Sequence, residues 1–159
     1  MSGKKSSFAA ILPAGGLGRR MGSKIPKQLL PLNGKPVYRY ALETFAQMDK
    51  ISEVVLAVPA DWKSHFEKEL QDFRFSHKLK IVIGGKERWE SVRNGIEALS
   101  EKIDFALVHD VARPLISQSL ILQVLETLET KGSCLVARPA VDTVKIAKSG
   151  KVERTIPRE

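Results

Sequence analysis

The sequence predicts an α/β protein built on a doubly wound, mostly parallel sheet. Three observations predict it. Short apolar runs alternate with amphipathic stretches of helical spacing through residue 139. The first apolar run ends in a glycine-rich loop, as the opening strand of such sheets does. Beyond residue 139 the alternation gives way to two short runs about Ser149-Gly150, a hairpin signal. A chain of 159 residues suits one domain with a real core, so residues 1–159 are expected to form a single domain. Residues 142–157 are expected to form this hairpin.

The elements follow in order. "FAAILP" (8–13) is a continuous apolar run, the mark of a strand buried on both faces. "PVYRYALETFAQM" (36–48) opens with Pro36 at an expected first helical position and puts Val37, Tyr40, Ala41, Phe45 and Met48 on one face. "SEVVLAVP" (52–59) is β-branched and reads as a strand. "DWKSHFEKELQDF" (61–73) repeats Trp62, Phe66 and Leu70 every fourth residue behind Asp61, a helix with a candidate N-cap. "KLKIVIGG" (78–85) is a strand stopped by a glycine pair. "RWESVRNGIEAL" (88–99) is a helix with Trp89, Val92, Ile96 and Leu99 expected inward. "DFALVHD" (104–110) is a strand. "SQSLILQVLETLETKG" (117–132) is a helix running from a serine cap to Gly132. "SCLVARP" (133–139) reads as one more strand, with Cys134 in the core. Helices joining parallel strands by right-handed crossovers cover both sheet faces, which gives a Rossmann-like, three-layer α/β/α arrangement.

Charge is unevenly placed. The net charge is +8, yet the first acid in the chain is Glu43. Eight of the 26 Lys and Arg residues precede it, and the remaining 18 balance 18 acids. A basic protein suggests a nucleic-acid partner, but an excess confined to the first quarter points instead to a local anion site. No nucleic-acid partner is expected. The apolar run after "MSGKKSS" is short and broken by Pro13, so no signal peptide and no membrane span are expected. A single cysteine excludes an intrachain disulfide and fits a reducing, cytoplasmic setting.

Ligands of open α/β sheets bind beyond the carboxyl ends of the strands. There the sequence places "AGGLGRRMGSKIPKQ", "GGKER" and "HDVARP", all charged, polar or glycine-rich. These three loops are expected to converge on one edge. The first of them fails two familiar phosphate motifs. No register supplies a Walker A loop, and a G-x-G-x-x-G fingerprint from Gly16 meets Met21 at its third glycine. The physics survives: glycines let backbone amides approach an anion, and Arg19, Arg20, Lys24 and Lys27 neutralise it.

"PAGGLGRRMGSKIPKQLLPLNGKPV", "GGKERWESVRNGI", "LVHDVARPL", "DTVK" and "IPRE", in this order, resemble the five motifs of the 2-C-methyl-D-erythritol 4-phosphate cytidylyltransferases of isoprenoid biosynthesis. The resemblance covers nearly the whole chain from Ala9. It implies transfer of a cytidylyl group from CTP to a polyol phosphate, with Mg²⁺ as the expected divalent cation. It assigns transition-state stabilisation to Arg20 and Lys27. It assigns the nucleotide to Pro13, Ala14, Gly15, Gly16, Gly18, Gly85, Lys86, Ser91, Asp110 and Val111. Asp110 would also ligate the metal, and Arg113, Thr143 and Arg158 would hold the polyol phosphate. His109 is expected to orient its neighbours and to bind no metal. The resemblance further implies that residues 140–159 stand out from the domain as a β-arm, and a homodimer in which that arm completes the neighbour's site. It implies too that relatives continue past this point, with more sheet strands and another substrate-binding lysine.

Two positions depart from the family pattern. Gly15 stands where the first loop commonly has a second alanine, and Lys86 stands where an aspartate usually follows the glycine pair. Both are tolerable if backbone groups read the base. Two other readings share parts of the pattern: a ribitol-5-phosphate cytidylyltransferase, and a non-catalytic or nucleic-acid-binding module.

Overall fold

The central strand of the computed structural model, β1 (Phe8–Pro13), lies between two parallel neighbours and is buried along almost its whole length. The structure describes residues 6–15, 25–75 and 77–157. In chain order, β1 is followed by a 3₁₀ turn at Lys27–Leu29 and a small ribbon, β2 (Pro31–Leu32) and β3 (Lys35–Pro36). Then come α1 (Val37–Ala46), β4 (Ile51–Val58), α2 (Lys63–Leu70), β5 (Lys78–Ile83), α3 (Arg88–Glu97) and β6 (Phe105–Val108). α4 (Gln118–Lys131) and the hairpin β7 (Lys145–Lys148) and β8 (Lys151–Thr155) complete the chain. The main sheet is parallel in the order β5-β4-β1-β6.

Helices cover both faces, as expected. Phe8, Ala10 and Leu12 of β1 share one core with Tyr38, Leu42 and Phe45 of α1, Phe66 of α2, and Ile121 and Leu125 of α4. The alternate residue Ile11 points the other way, toward α3. There α3 comes so close that a Cβ on Gly95 would lie 2.5 Å from Ile11 Cγ2. This close approach corrects the predicted helix face. Trp89 and Ile96 are 62% and 54% exposed, while the small residues Ser91 and Gly95 are buried. A helix lying this near a sheet turns small side chains inward. α1 shows a smaller rotation of the same kind: Tyr38, Ala41, Leu42 and Phe45 are buried, and Tyr40 instead donates from its hydroxyl to the Leu32 carbonyl at 2.6 Å.

Helix ends differ from expectation in two places. Pro36 is the N-cap of α1, one residue before the helix. Asp61 caps nothing; it lies within a 3₁₀ turn, Ala60–Trp62, closed by the Trp62 N–H on the Pro59 carbonyl at 3.0 Å. α4 ends as predicted: the Ser117 side chain accepts from the Leu120 N–H at 3.2 Å, and Gly132 takes a left-handed φ of 80°. The hairpin turns at Ser149 and Gly150, with φ of 49° and 77°, both positive as in a type I′ turn. Asn33-Gly34 turns the β2–β3 ribbon with the same signs, 49° and 79°, as the Asn-Gly pair in the sequence favours.

The strand expected at 133–139 does not form. β6 has a ladder partner only in β1 among the described residues. An apolar trough of about 700 Å³ separates its other edge from residues 134–136. Without a ladder, the segment lies exposed on the surface, Leu135 is 90% exposed, and Cys134 is exposed rather than in the core. No helix among the described residues is long and apolar enough to cross a membrane.

One buried charge joins two sheet strands. Glu53 of β4 is 2% exposed, and the Lys80 ammonium of β5 lies 2.6 Å from its Oε1. The Ser100 N–H donates to Oε2 at 3.3 Å. Burial alone pushes this carboxyl pKa up, but hydrogen bonds from Lys80 and Ser100 more than offset it and hold the group below its ordinary value. Stability from this pair is therefore present above the ordinary value of 4.5 and lost as pH falls through the lower folded value. Glu53→Gln should cost about 1–3 kcal/mol at neutral pH. Thermal melts of both proteins from pH 7 downward should show the difference shrinking below pH 4.5.

Candidate active site

Three ladder-like hydrogen bonds extend past the carboxyl ends of the strands and fix the loops that follow. The Ala14 N–H donates to the Ala57 carbonyl at 2.7 Å, the Gly84 N–H to Val58 at 2.8 Å, and the His109 N–H to Ile11 at 3.0 Å. Parallel pairing thus continues one residue beyond β1, β5 and β6. The described parts of the three loops named from the sequence do meet at one edge. They enclose a cavity of about 360 Å³.

The first wall is Pro13, Ala14 and Gly15. Its shape is held from behind by Gln28, which is 1% exposed and donates from Nε2 to the Ala14 carbonyl. Both backbone groups of Ala14 are therefore engaged within the protein. Gln28 follows Lys27 on the short 3₁₀ turn, so the bond that fixes the wall also sets Lys27 at the cavity. Sequence reading passed over Gln28; a polar residue beside an expected catalytic lysine was the available signal.

The second wall is the turn from Gly85 to Arg88, with Ser91 behind it. A Cβ on Gly85 would lie 2.1 Å from the Glu90 Cβ, so this position requires glycine. Ser91 is 2% exposed; its hydroxyl accepts from the Gly85 N–H at 3.0 Å and donates to the Glu87 carbonyl at 3.4 Å. Glu87 and Glu90 form a capping box at the start of α3, which turns both carboxylates toward the helix end.

The third wall is Asp110, Val111, Ala112 and Arg113. Asp110 Oδ1 accepts from Arg88 Nε at 2.8 Å, and Arg113 Nε lies 3.7 Å from Oδ2. His109 sits beneath this loop against the Phe45 ring, with centroids 5.6 Å apart. Burial holds its pKa below the ordinary value, so its ring is neutral at neutral pH, and Nε2 donates to the Arg113 carbonyl at 3.0 Å.

The sequence-derived residues Pro13, Ala14, Gly15, Lys27, Gly85, Lys86, Ser91, Asp110, Val111 and Arg113 all line this one cavity. Thr143 does not; it is exposed at the base of the hairpin. Gly16, Gly18, Arg20 and Arg158 lie outside the described residues.

An open parallel sheet with cationic and glycine-bearing loops gathered at its carboxyl edge defines a nucleotide-binding α/β domain. Comparison with known proteins narrows the class. Residues 8–159 match the family model "IspD: 2-C-methyl-D-erythritol 4-phosphate cytidylyltransferase", and the chain belongs to that family. It is 41% identical over 138 residues to the 2-C-methyl-D-erythritol 4-phosphate cytidylyltransferase of Lachnospira eligens, covering 87% of this chain and 60% of that one. It is 36% identical over 157 residues to the chloroplastic enzyme of that name from Oryza sativa, covering 98% and 52%. The 4-diphosphocytidyl-2C-methyl-D-erythritol synthase structure from Anaerococcus prevotii superposes with a TM-score of 0.83 at 25% identity, covering 98% of this chain and 66% of that one. The Francisella tularensis cytidylyltransferase structure gives 0.73 at 30% identity, covering 97% and 67%. The chain spans about half to two thirds of the length of the relatives it matches.

Gln28→Leu removes the donor to Ala14 and leaves a buried carbonyl without its partner. The expected loss is about 1–3 kcal/mol of stability. For a chain of this size that is a fall of several degrees in Tm, about 2–4 °C per kcal/mol, readable by thermal denaturation.

Proposed function

We propose that this chain carries the nucleotide half of a cytidylyltransferase site. The reaction moves a cytidylyl group from CTP to 2-C-methyl-D-erythritol 4-phosphate, forms 4-diphosphocytidyl-2-C-methyl-D-erythritol and releases pyrophosphate. The observation that carries this reading is the cavity itself: Lys27, Lys86, Arg88 and Arg113 surround it at the carboxyl edge of the sheet. Such a cluster suits a polyanion that must be approached by a second anion.

An oxygen of the acceptor phosphate attacks the α-phosphorus, and the bond to the pyrophosphate oxygen breaks. Negative charge grows on the non-bridging oxygens as it does so. Fixed cations lower that barrier without reorganising at the moment of reaction. Lys27 stands on the turn that Gln28 anchors, which suits a charge that must not drift. Arg20 would act beside it, and Arg113 would take the acceptor phosphate. Backbone groups of the first two walls other than those of Ala14 and the Gly85 N–H, which are already bonded, would read the cytosine edge. Reading by backbone groups is compatible with the Gly15 and Lys86 departures, since both residues line the cavity and a backbone contact does not depend on the side chain.

The donor set fits a magnesium ion shared with a triphosphate. Among the described residues no group of three or more His, Cys, Asp or Glu side chains is placed to hold a metal ion by itself. One cavity carboxylate, Asp110, with phosphate oxygens matches the usual Mg²⁺ pattern. When bound, the ion would withdraw charge from the phosphate oxygens.

We also propose a homodimer. Nearly every residue of the β7–β8 hairpin is exposed, and Thr143 at its base is remote from this chain's own cavity lining. Both features suit an arm that serves a second copy, bringing Thr143 and Arg158 to its acceptor phosphate. An exposed, unpaired Cys134 suits the cytoplasm.

Pyrophosphate release from CTP, measured with each polyol phosphate, tests the reaction. Turnover with methylerythritol phosphate is expected; turnover with ribitol 5-phosphate alone would overturn the substrate assignment. Lys27→Ala and Arg20→Ala should each lower kcat about a hundredfold or more, about 3–4 kcal/mol of barrier. Their effect on KM for CTP should be small, and a change confined to KM would show ground-state binding instead.

A further inference from the structure

Arg88 has no role in the reading above beyond its charge. It is the first residue of α3, and its side chain is 60% exposed toward the cavity it lines. Other arginine pairs on the surface, such as Arg93 with Glu97, join residues four apart on one helix. Arg88 instead crosses from the loop after β5 to the loop after β6, where its Nε donates to Asp110 at 2.8 Å. The same carboxylate faces Arg113 on its other side at 3.7 Å. Two guanidinium groups thus share one carboxylate, and a full positive charge is left over. This trio sits on the wall common to the cavity and to the apolar trough beside β6. Glu87 and Glu90 stay charged, but the capping box aims both carboxylates at the start of α3, and neither pairs with Arg88.

A guanidinium carries five N–H donors in a planar fork. Asp110 occupies the one on Nε. Among the described residues nothing accepts from the four on the two Nη atoms. A carboxylate bound at Nε fixes the plane of the fork and leaves its outer pair of donors in place for another ligand. Phosphate oxygens match that pair bidentately.

We propose that Arg88 is a phosphate-binding residue of this site, held in its working orientation by Asp110, and that its ligand is the triphosphate of the nucleotide. The inference rests on the nucleotide reading of the cavity. It gives Asp110 a task that does not depend on a metal, and it separates Arg88 from the base-reading backbone beside it.

The test compares wild type, Arg88→Gln and Arg88→Lys, with thermal melts to establish that each is folded. Binding of CTP is followed by calorimetry, and binding of cytidine, which has no phosphate, by NMR chemical-shift titration. Arg88→Gln should weaken CTP binding tenfold or more and leave cytidine binding unchanged. Arg88→Lys should recover part of the loss, since an ammonium supplies charge without the fork. Equal CTP affinity in wild type and Arg88→Gln would overturn the proposal. So would equal weakening of CTP and cytidine, which would mean that Arg88 only shapes the loops. Failure of wild type to bind CTP while it binds cytidine would overturn it as well. Failure to bind either ligand would bring down the nucleotide reading itself, and this inference with it.

Discussion

Everything at the cavity hangs from β1. Its residues are buried on both faces, and its backbone is paired on both edges, to β4 and to β6. No other strand of the described sheet except β4 has two ladder partners. The first wall is the direct continuation of β1, and the third is tied to it by the His109 bond to Ile11. The second wall rests on α3, which presses against the same Ile11 through Gly95. A shift of β1 by a fraction of an ångström would therefore move all three walls together. Their mutual positions are set first by the packing of one strand, and the Arg88–Asp110 pair ties the second wall to the third.

That constraint explains which parts of the fold could be read in advance. Strands buried on both faces announce themselves as unbroken apolar runs, so β1, β4 and their parallel pairing were legible in residues 8–13 and 52–59. Convergence of the loops followed from the architecture. The faces of α1 and α3 were not legible, because periodicity identifies a stripe but not the distance at which a helix packs. At Gly95 that distance is short enough to invert the ordinary rule, turning Ser91 and Gly95 inward and Trp89 outward. Residues 133–139 have the composition of a strand, but a strand exists only through its ladder, and composition is silent about partners.

Within the site, the residue types were legible and the connections between them were not. Charges and glycines could be picked out by chemistry and resemblance. Gln28 behind the first wall, and Arg88 locked to Asp110, are relations between distant positions that only three dimensions expose. Ser91 shows the same limit. Its hydroxyl links the Gly85 N–H to the Glu87 carbonyl and so holds the second wall in shape.

The hairpin of residues 145–155 contrasts with all of this. Ile146 alone is even half-buried, and no cavity wall leans on it. Its sequence is thus released from the packing within this chain that ties down the sheet and the cavity walls. Over evolutionary time its side chains can drift, be exchanged or be lengthened without disturbing β1 or the walls. A lineage could change what that arm touches while the sheet stays as it is.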